Sequence, residues 1–265
     1  MPFPKWPHET NQTVNLFDTH CHLDVSDFDA DRAAVLARAR AAGVQALLVP
    51  AIGRGAWNGL MDLCRDDKHL HPALGLHPVF ERVHRDADIT ALGDAVARDR
   101  PCAIGEIGLD WAIDDTDRQR QQTLFEQQLE IAETAALPIV LHARKSHEDI
   151  LRALKRRRLC GGFCHAFNGS LEQAERYLAL GFRLGFGGML TFERSTRLRR
   201  LAQALPLSAI VLETDAPDMA VASHRFERNS PEYLPEVLAT LAELRDEAPP
   251  GVARQAAANA RSTLG

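Results

Sequence analysis

Short apolar runs alternate with longer amphipathic stretches along most of this chain. The apolar runs are Leu16–Phe17, Ala46–Pro50, Leu70–Gly75, Cys102–Gly105, Pro138–Leu141, Gly161–Cys164, Phe182–Phe186 and Ala209–Leu212. They read as strands bounded by glycine, proline or polar residues. The stretches between them carry helix patterns. Asp29–Ala42 follows an aspartate-rich segment and stops at Gly43, and Leu171–Leu180 stops at Gly181; glycine commonly follows a helix C-terminus. Arg118–Ala136 puts Phe125, Leu129, Ala132 and Ala136 on one stripe. Pro231–Leu244 opens with a proline, which suits a first helical turn.

Eight such strands with about eight helices between them predict parallel strands joined by helical crossovers. In 265 residues this is the size of an α/β protein built as a single (β/α)8 TIM barrel. An open doubly wound sheet is the rival architecture. It lacks the Gly-x-Gly-x-x-Gly marker that a dinucleotide fold would carry after an early strand. The expectation is one barrel domain over residues 1–265, with the barrel proper from about residue 14 and a polar extension over residues 1–13.

Composition narrows the class. Hydrophobic residues make up 45% and charged residues 25% of the chain, a globular balance. A net charge of −5 advertises no basic surface for nucleic acid, although a local cleft can still be basic or metal-lined. Five cysteines, an odd number, argue for reduced thiols and a cytoplasmic protein. The first residues lack the apolar stretch of a signal peptide. No run approaches membrane-spanning length, so no membrane association is expected.

Candidate chemistry falls where a barrel places it, at the C-terminal ends of strands. His20 and His22 follow the first run and, two apart in extended backbone, share a face. That spacing suits a divalent metal, and it also suits a turn with helix-capping residues. His77 follows the third run, Glu106 and Asp110 the fourth, His142 the fifth, His165 the sixth, and Glu213 and Asp215 the eighth. Five histidines in such positions are hard to explain by packing alone. A carboxylate at Glu106 has two oxygens and can bridge two cations. Glu106 could equally cap a helix, His142 and His165 could serve as structural histidines, and Asp215 could cap the turn at Ala216-Pro217. Asp110 is given no catalytic role.

The motifs Asp18-Thr19-His20-Cys21-His22-Leu23-Asp24, Gly75-Leu76-His77-Pro78, Gly105-Glu106-Ile107-Gly108-Leu109-Asp110, Leu141-His142-Ala143-Arg144, Cys164-His165-Ala166-Phe167-Asn168-Gly169-Ser170 and Glu213-Thr214-Asp215-Ala216-Pro217 occur in this order. As an ordered set the chain resembles the TatD family of metal-dependent hydrolases, among the amidohydrolase-like barrels, in a less characterised branch. The resemblance runs from Leu16 to about Leu264. It implies a first metal site of His20, His22, Glu106 and Asp215 and a second of Glu106, His142 and His165. It also implies hydrolysis of DNA phosphodiesters, often from a 3′ end.

The expected cofactors are two divalent metal ions. A histidine-rich ligand set excludes an all-oxygen magnesium or calcium cage and fits zinc, manganese, iron, cobalt or nickel; magnesium is expected to support activity weakly. Asp215 would bind one metal and orient or deprotonate the attacking water, and Glu106 would set the spacing of the pair. His77 is a candidate for gripping phosphate, or a loop histidine held by Pro78. Arg144 and Lys145 are candidates for neutralising phosphate, or a solvated face. Phe28, Phe80 and Trp111 are candidates for stacking on bases, or for closing the barrel top. The expected substrate is DNA, single-stranded or frayed at its 3′ end. The alternative is a hydrolase of a small-molecule phosphoester, amide or lactone, because the same centre can attack a carbonyl. A monomer is expected, since no helix sustains a coiled-coil heptad.

Overall fold

In the computed structural model, residues 15–265 are described; the expected polar extension lies outside them. The strands are β1 (Leu16–Asp18), β2 (Val44–Pro50), β3 (Leu70–Leu74), β4 (Ala103–Asp110), β5 (Ile139–Arg144), β6 (Gly162–Cys164), β7 (Phe182–Phe186) and β8 (Ile210–Leu212). They form one eight-stranded sheet in chain order, each strand from β1 to β7 pairing parallel with the next. Nine α-helices accompany them among the described residues: α1 (Arg32–Ala41), α2 (Trp57–Arg65), α3 (Asp86–Asp99), α4 (Arg118–Ala135), α5 (His147–Leu154), α6 (Leu171–Ala179), α7 (Thr196–Ala204), α8 (Leu234–Arg245) and α9 (Pro249–Leu264). This is the (β/α)8 TIM barrel.

The seam between β8 and β1 is closed beyond the strands' own length. Thr19 N donates to Leu212 O at 3.0 Å. The buried Asp18 carboxylate accepts from Thr214 N at 3.0 Å and Thr214 Oγ1 at 2.6 Å. Burial raises Asp18 to about 7.

Two apolar clusters divide the core. The larger lies between strands and helices. The smaller gathers Phe17, Leu48, Val140, Phe163 and Val211 with Ala257 and Ala260 of α9. It fills the barrel interior, and α9 packs against it. Asn259 on the same helix donates to Leu207 O at 2.9 Å and Ile210 O at 2.7 Å, fastening α9 to the start of β8. The mouth at the opposite end is left for chemistry.

Several boundaries differ from the pattern-based expectation. β4 runs to Asp110 rather than stopping at Gly105, and β5 runs to Arg144 rather than Leu141. Glu106 and His142 therefore sit within strands, not beyond them. The two strands stay paired as far as Asp110 with Arg144, because Gly108 lets them approach: a Cβ there would lie 1.9 Å from His142 O. α1 starts at Arg32 rather than Asp29. Asp29 accepts from Arg32 and Asp31 from Arg228, so neither side chain caps the helix. The Pro231 segment opens as a 3-10 turn, Pro231–Tyr233, before α8 begins at Leu234.

Candidate metal centre

The period of two along a strand carries side chains to the mouth. Val140, Phe163 and Val211 belong to the interior cluster, so His142, His165 and Glu213, two residues on, face the same way nearer the strand ends. Asp215 lies past the end of β8 in a left-handed turn (φ 59°), where its N–H donates to His20 O at 2.8 Å. On β4 the register against β5 shifts between Ile104 and Ile107, an irregularity of the kind that re-aims a side chain. His20 and His22 arrive after the chain leaves β1, where Cys21 pairs with Ala216.

Glu106 is the hub. Its Oε2 lies 3.0 Å from His20 Nε2 and 3.4 Å from His22 Nε2. Its Oε1 lies 2.9 Å from His142 Nδ1, 3.3 Å from His77 Nε2 and 3.5 Å from His165 Nε2. Asp215 Oδ1 lies 3.5 Å from His20 Nε2 and 3.7 Å from His22 Nε2. The structure thus brings His20, His22, His77, Glu106, His142, His165 and Asp215 together. Three overlapping triads have the ligand-atom spacing a metal needs: His20–Glu106–His165, His20–His22–Asp215 and His77–Glu106–His142.

The far nitrogen of each ring decides what the near one can do. His22 Nδ1 is 3.0 Å from Pro50 O; a carbonyl only accepts, so Nδ1 carries the proton and Nε2 offers a lone pair inward. His77 is the opposite case. Its Nδ1 accepts from Val79 N at 3.1 Å, so the proton sits on Nε2 and His77 is a donor toward the centre. His142 Nε2 is 3.0 Å from Asp110 Oδ2, leaving Nδ1 to face Glu106. His165 Nδ1 is 3.4 Å from Glu213 Oε1.

Charge in the cluster is coupled. Burial drives His20 well below the usual imidazole range, with His165 adding to the effect. Burial also lowers His77 to about 4. Burial works against the charge on His22, yet the Glu106 carboxylate leaves it raised to about 9. Burial likewise opposes His165, which Asp215 and Glu106 raise to about 10. Burial raises Asp215 to about 6.

The donor set fits divalent metal. Glu106 Oε2 is buried with no aligned hydrogen-bond donor, and His20 Nε2 and His22 Nε2 converge to 3.2 Å from each other. Such a gathering of lone pairs is unfavourable unless protons or a cation lie between them.

Two residues beside the centre went unassigned in the sequence. Asp110 is buried and reaches His142, and it also accepts from Ala112 N at 2.8 Å. Glu213 is buried, faces His165 and accepts from Ala166 N at 2.6 Å. The step of two from Val211 marks Glu213; nothing in the local pattern marks Asp110 apart from its place in the Glu106 motif. The stacking candidates separate. Phe28 is fully buried under the Arg228 guanidinium and cannot meet a base. Trp111 has Arg118 over its ring and donates from its indole to Asp149 at 2.8 Å. Phe80 is 42% exposed, beside His77. Arg144 and Lys145 are both exposed, but only Arg144 lines the cavity at the mouth; Lys145 takes a left-handed turn (φ 56°) leading toward α5.

The sequence profile of the TatD related DNase family matches residues 17–265. The chain belongs to the TatD family. It is a metal-dependent hydrolase of that family, similar to an uncharacterised metal-dependent hydrolase, YjjV, of Escherichia coli (strain K12), with 42% identity over 87% of this chain and 90% of that protein. The crystal structure of the Escherichia coli K12 TatD homologue YjjV superposes with a TM-score of 0.91 at 39% identity, covering 96% of this chain and 98% of that one. A 3′-5′ ssDNA/RNA exonuclease TatD of Klebsiella pneumoniae (strain 342) is 32% identical over 94% of this chain and 98% of its own length.

Proposed function

We propose that this TatD-family hydrolase is a deoxyribonuclease that cleaves phosphodiesters from the 3′ end of single-stranded or frayed DNA. The observation that carries the reading is Glu106, whose Oε2 faces His20 and His22 while its Oε1 faces His77, His142 and His165. In this reading His20, His22, Glu106 and Asp215 hold one divalent ion and Glu106, His142 and His165 a second. Two ions so placed would neutralise the nonbridging oxygens and make a bound water acidic enough to attack at neutral pH.

The chain's own groups do the rest. Asp215, raised to about 6 by burial, is poised to take a proton from the attacking water. The water oxygen bonds to phosphorus, the P–O3′ bond breaks, and the 3′ oxygen gains a proton from solvent. His77 donates its Nε2–H to a phosphate oxygen, the role left to it by the Val79 hydrogen bond. Asp110 and Glu213 orient His142 and His165. Arg144 sits where it can face a phosphate, 3.9 Å from Asp110. All the candidate ligands come from one chain, so a monomer suffices for this reading, and five unpaired cysteines suit the cytoplasm. The similarity to the Klebsiella 3′-5′ ssDNA/RNA exonuclease supports this substrate class.

The test is a product-resolved assay of metal-loaded protein on 5′-labelled single strands, blunt duplexes and a panel of small phosphoesters, amides and lactones. A ladder shortening from the 3′ end, abolished by Glu106→Ala and Asp215→Asn, is the expected result. Inert DNA with fast turnover of a small ester or amide would overturn the reading. Duplex nicked internally at a comparable rate would overturn the strand preference.

A further inference from the structure

Beside the ligand cluster the barrel mouth opens into a cavity of about 720 Å³. Its inner wall is His142, His165 and Asp215. Its accessible apolar lining includes Met189 and the half-buried Leu198, laid over the buried Phe167, Phe186 and Leu201. Its outer rim carries the guanidinium groups of Arg144, Arg194 and Arg197, with Asp218 the acid at the edge. The volume lies in the range of roughly 300–1,000 Å³ typical of small-ligand sites. It exceeds what a phosphate on the ligand cluster occupies.

The rim is a prepared surface. Arg197 donates to Asn168 O. Asn168 Oδ1 is 3.1 Å from His147 Nε2, and His147 Nδ1 is 3.2 Å from the Tyr177 hydroxyl. His147 and Tyr177 are buried, so a satisfied polar chain fixes the loop after β6 on which Asn168 stands. Arg194 is exposed, has no carboxylate partner among the described residues, and lies 5.4 Å from the Phe192 ring centroid. An apolar floor with an anion-binding place at each end suits a flat-faced group flanked by two phosphates. A nucleoside within a strand has that form. A 3′-terminal nucleotide has no phosphate beyond it, so the second phosphate must lie on the 5′ side of the cut.

Resting on the nuclease reading above, we propose that this cavity is the subsite for the nucleoside on the 5′ side of the scissile phosphodiester, and that Arg194 and Arg197 hold the next phosphate upstream. The floor takes the base by apolar contact without reading its edge, so the subsite tolerates any base. Arg144, nearer β5, faces the scissile phosphate.

The test uses metal-loaded full chain and a fluorescein-labelled, fully phosphorothioate-linked tetrathymidylate, which resists hydrolysis, with binding read by anisotropy across a salt series. Arg194→Ala with Arg197→Ala should weaken binding about tenfold and flatten the log–log salt slope by about 0.7, the value for one phosphate neutralised on a single strand. Removing two positive charges at the far end of α5, Lys155→Ala with Arg156→Ala, should change affinity less than about twofold. On cleavable DNA the Arg194/Arg197 change should raise KM with a smaller effect on kcat. Equal losses from both pairs would overturn the subsite, as would displacement of the probe by a hexose phosphate more readily than by unlabelled tetranucleotide. If the probe binds as expected and DNA is never cut, the subsite stands and the nuclease reading falls. If DNA is cut and the Arg194/Arg197 variant binds like the unaltered protein, the subsite alone falls.

Discussion

Glu106 and His77 lie 3.3 Å apart, yet their loss should have different consequences. Glu106→Ala removes the carboxylate that faces both groups of imidazoles, so metal content and turnover should fall together. His77→Ala removes a donor, so metal content should hold while kcat drops by about 10²–10³-fold, the usual cost of deleting one oxyanion donor. Elemental analysis of the two variants beside their kcat values separates the roles. Glu213→Gln and Asp110→Asn should each lower metal affinity or turnover by roughly 10–100-fold, because each orients a histidine. Protonation gives a further expectation. His22 is raised to about 9 and His165 to about 10 in the metal-free cluster, burial notwithstanding, by neighbouring carboxylates. A metal must displace those protons, so affinity should rise by at least about tenfold per pH unit between about pH 6 and 8. A competition titration showing pH-independent affinity would contradict this. The six ligand candidates that the structure gathers at the mouth were legible as candidates because each is a histidine or carboxylate at or just past an apolar run. Glu213 and Asp110 were not, since a carboxylate that orients a ligand looks in sequence like one that caps a turn. Phe28 misled because exposure is not written in the local pattern.

At the scale of elements, all eight strands were legible from apolar runs, and so were the C-terminal ends of β2, β6, β7 and β8, whereas those of β4 and β5 were not. Nothing in the sequence says that β4 and β5 stay paired beyond the apolar stretch, with Gly108 opposite His142; the glycine permits it by removing a Cβ from His142 O. The start of α1 was missed for a related reason, since the acids that read as caps pair with arginines, one of them Arg228 far along the chain. α9 is the element whose role the periodicity least reveals. The apolar pattern singles out no helix there, and Ala257 and Ala260 pack against the barrel interior. Asn259→Ala strips the donor from two carbonyls and should cost about 1–3 kcal/mol of stability. Chemical denaturation should report that loss with metal binding retained, since α9 lies at the end away from the centre.

For the whole molecule, a net charge of −5 gives DNA little long-range attraction, so affinity has to be local to the mouth. No helix among the described residues is long and apolar enough to cross a membrane. The barrel concentrates its buried charge at one end and its apolar filling at the other, an arrangement that leaves the histidine-rich mouth as the place for chemistry. The central claim is that Glu106 bridges two ions. Anomalous diffraction from crystals of protein purified without chelators tests it most directly. Two peaks about 3.5–4 Å apart on either side of Glu106 are expected, one against His20, His22 and Asp215 and the other against His142 and His165. A single peak, or two peaks of which only one lies within coordinating distance of Glu106, would contradict it.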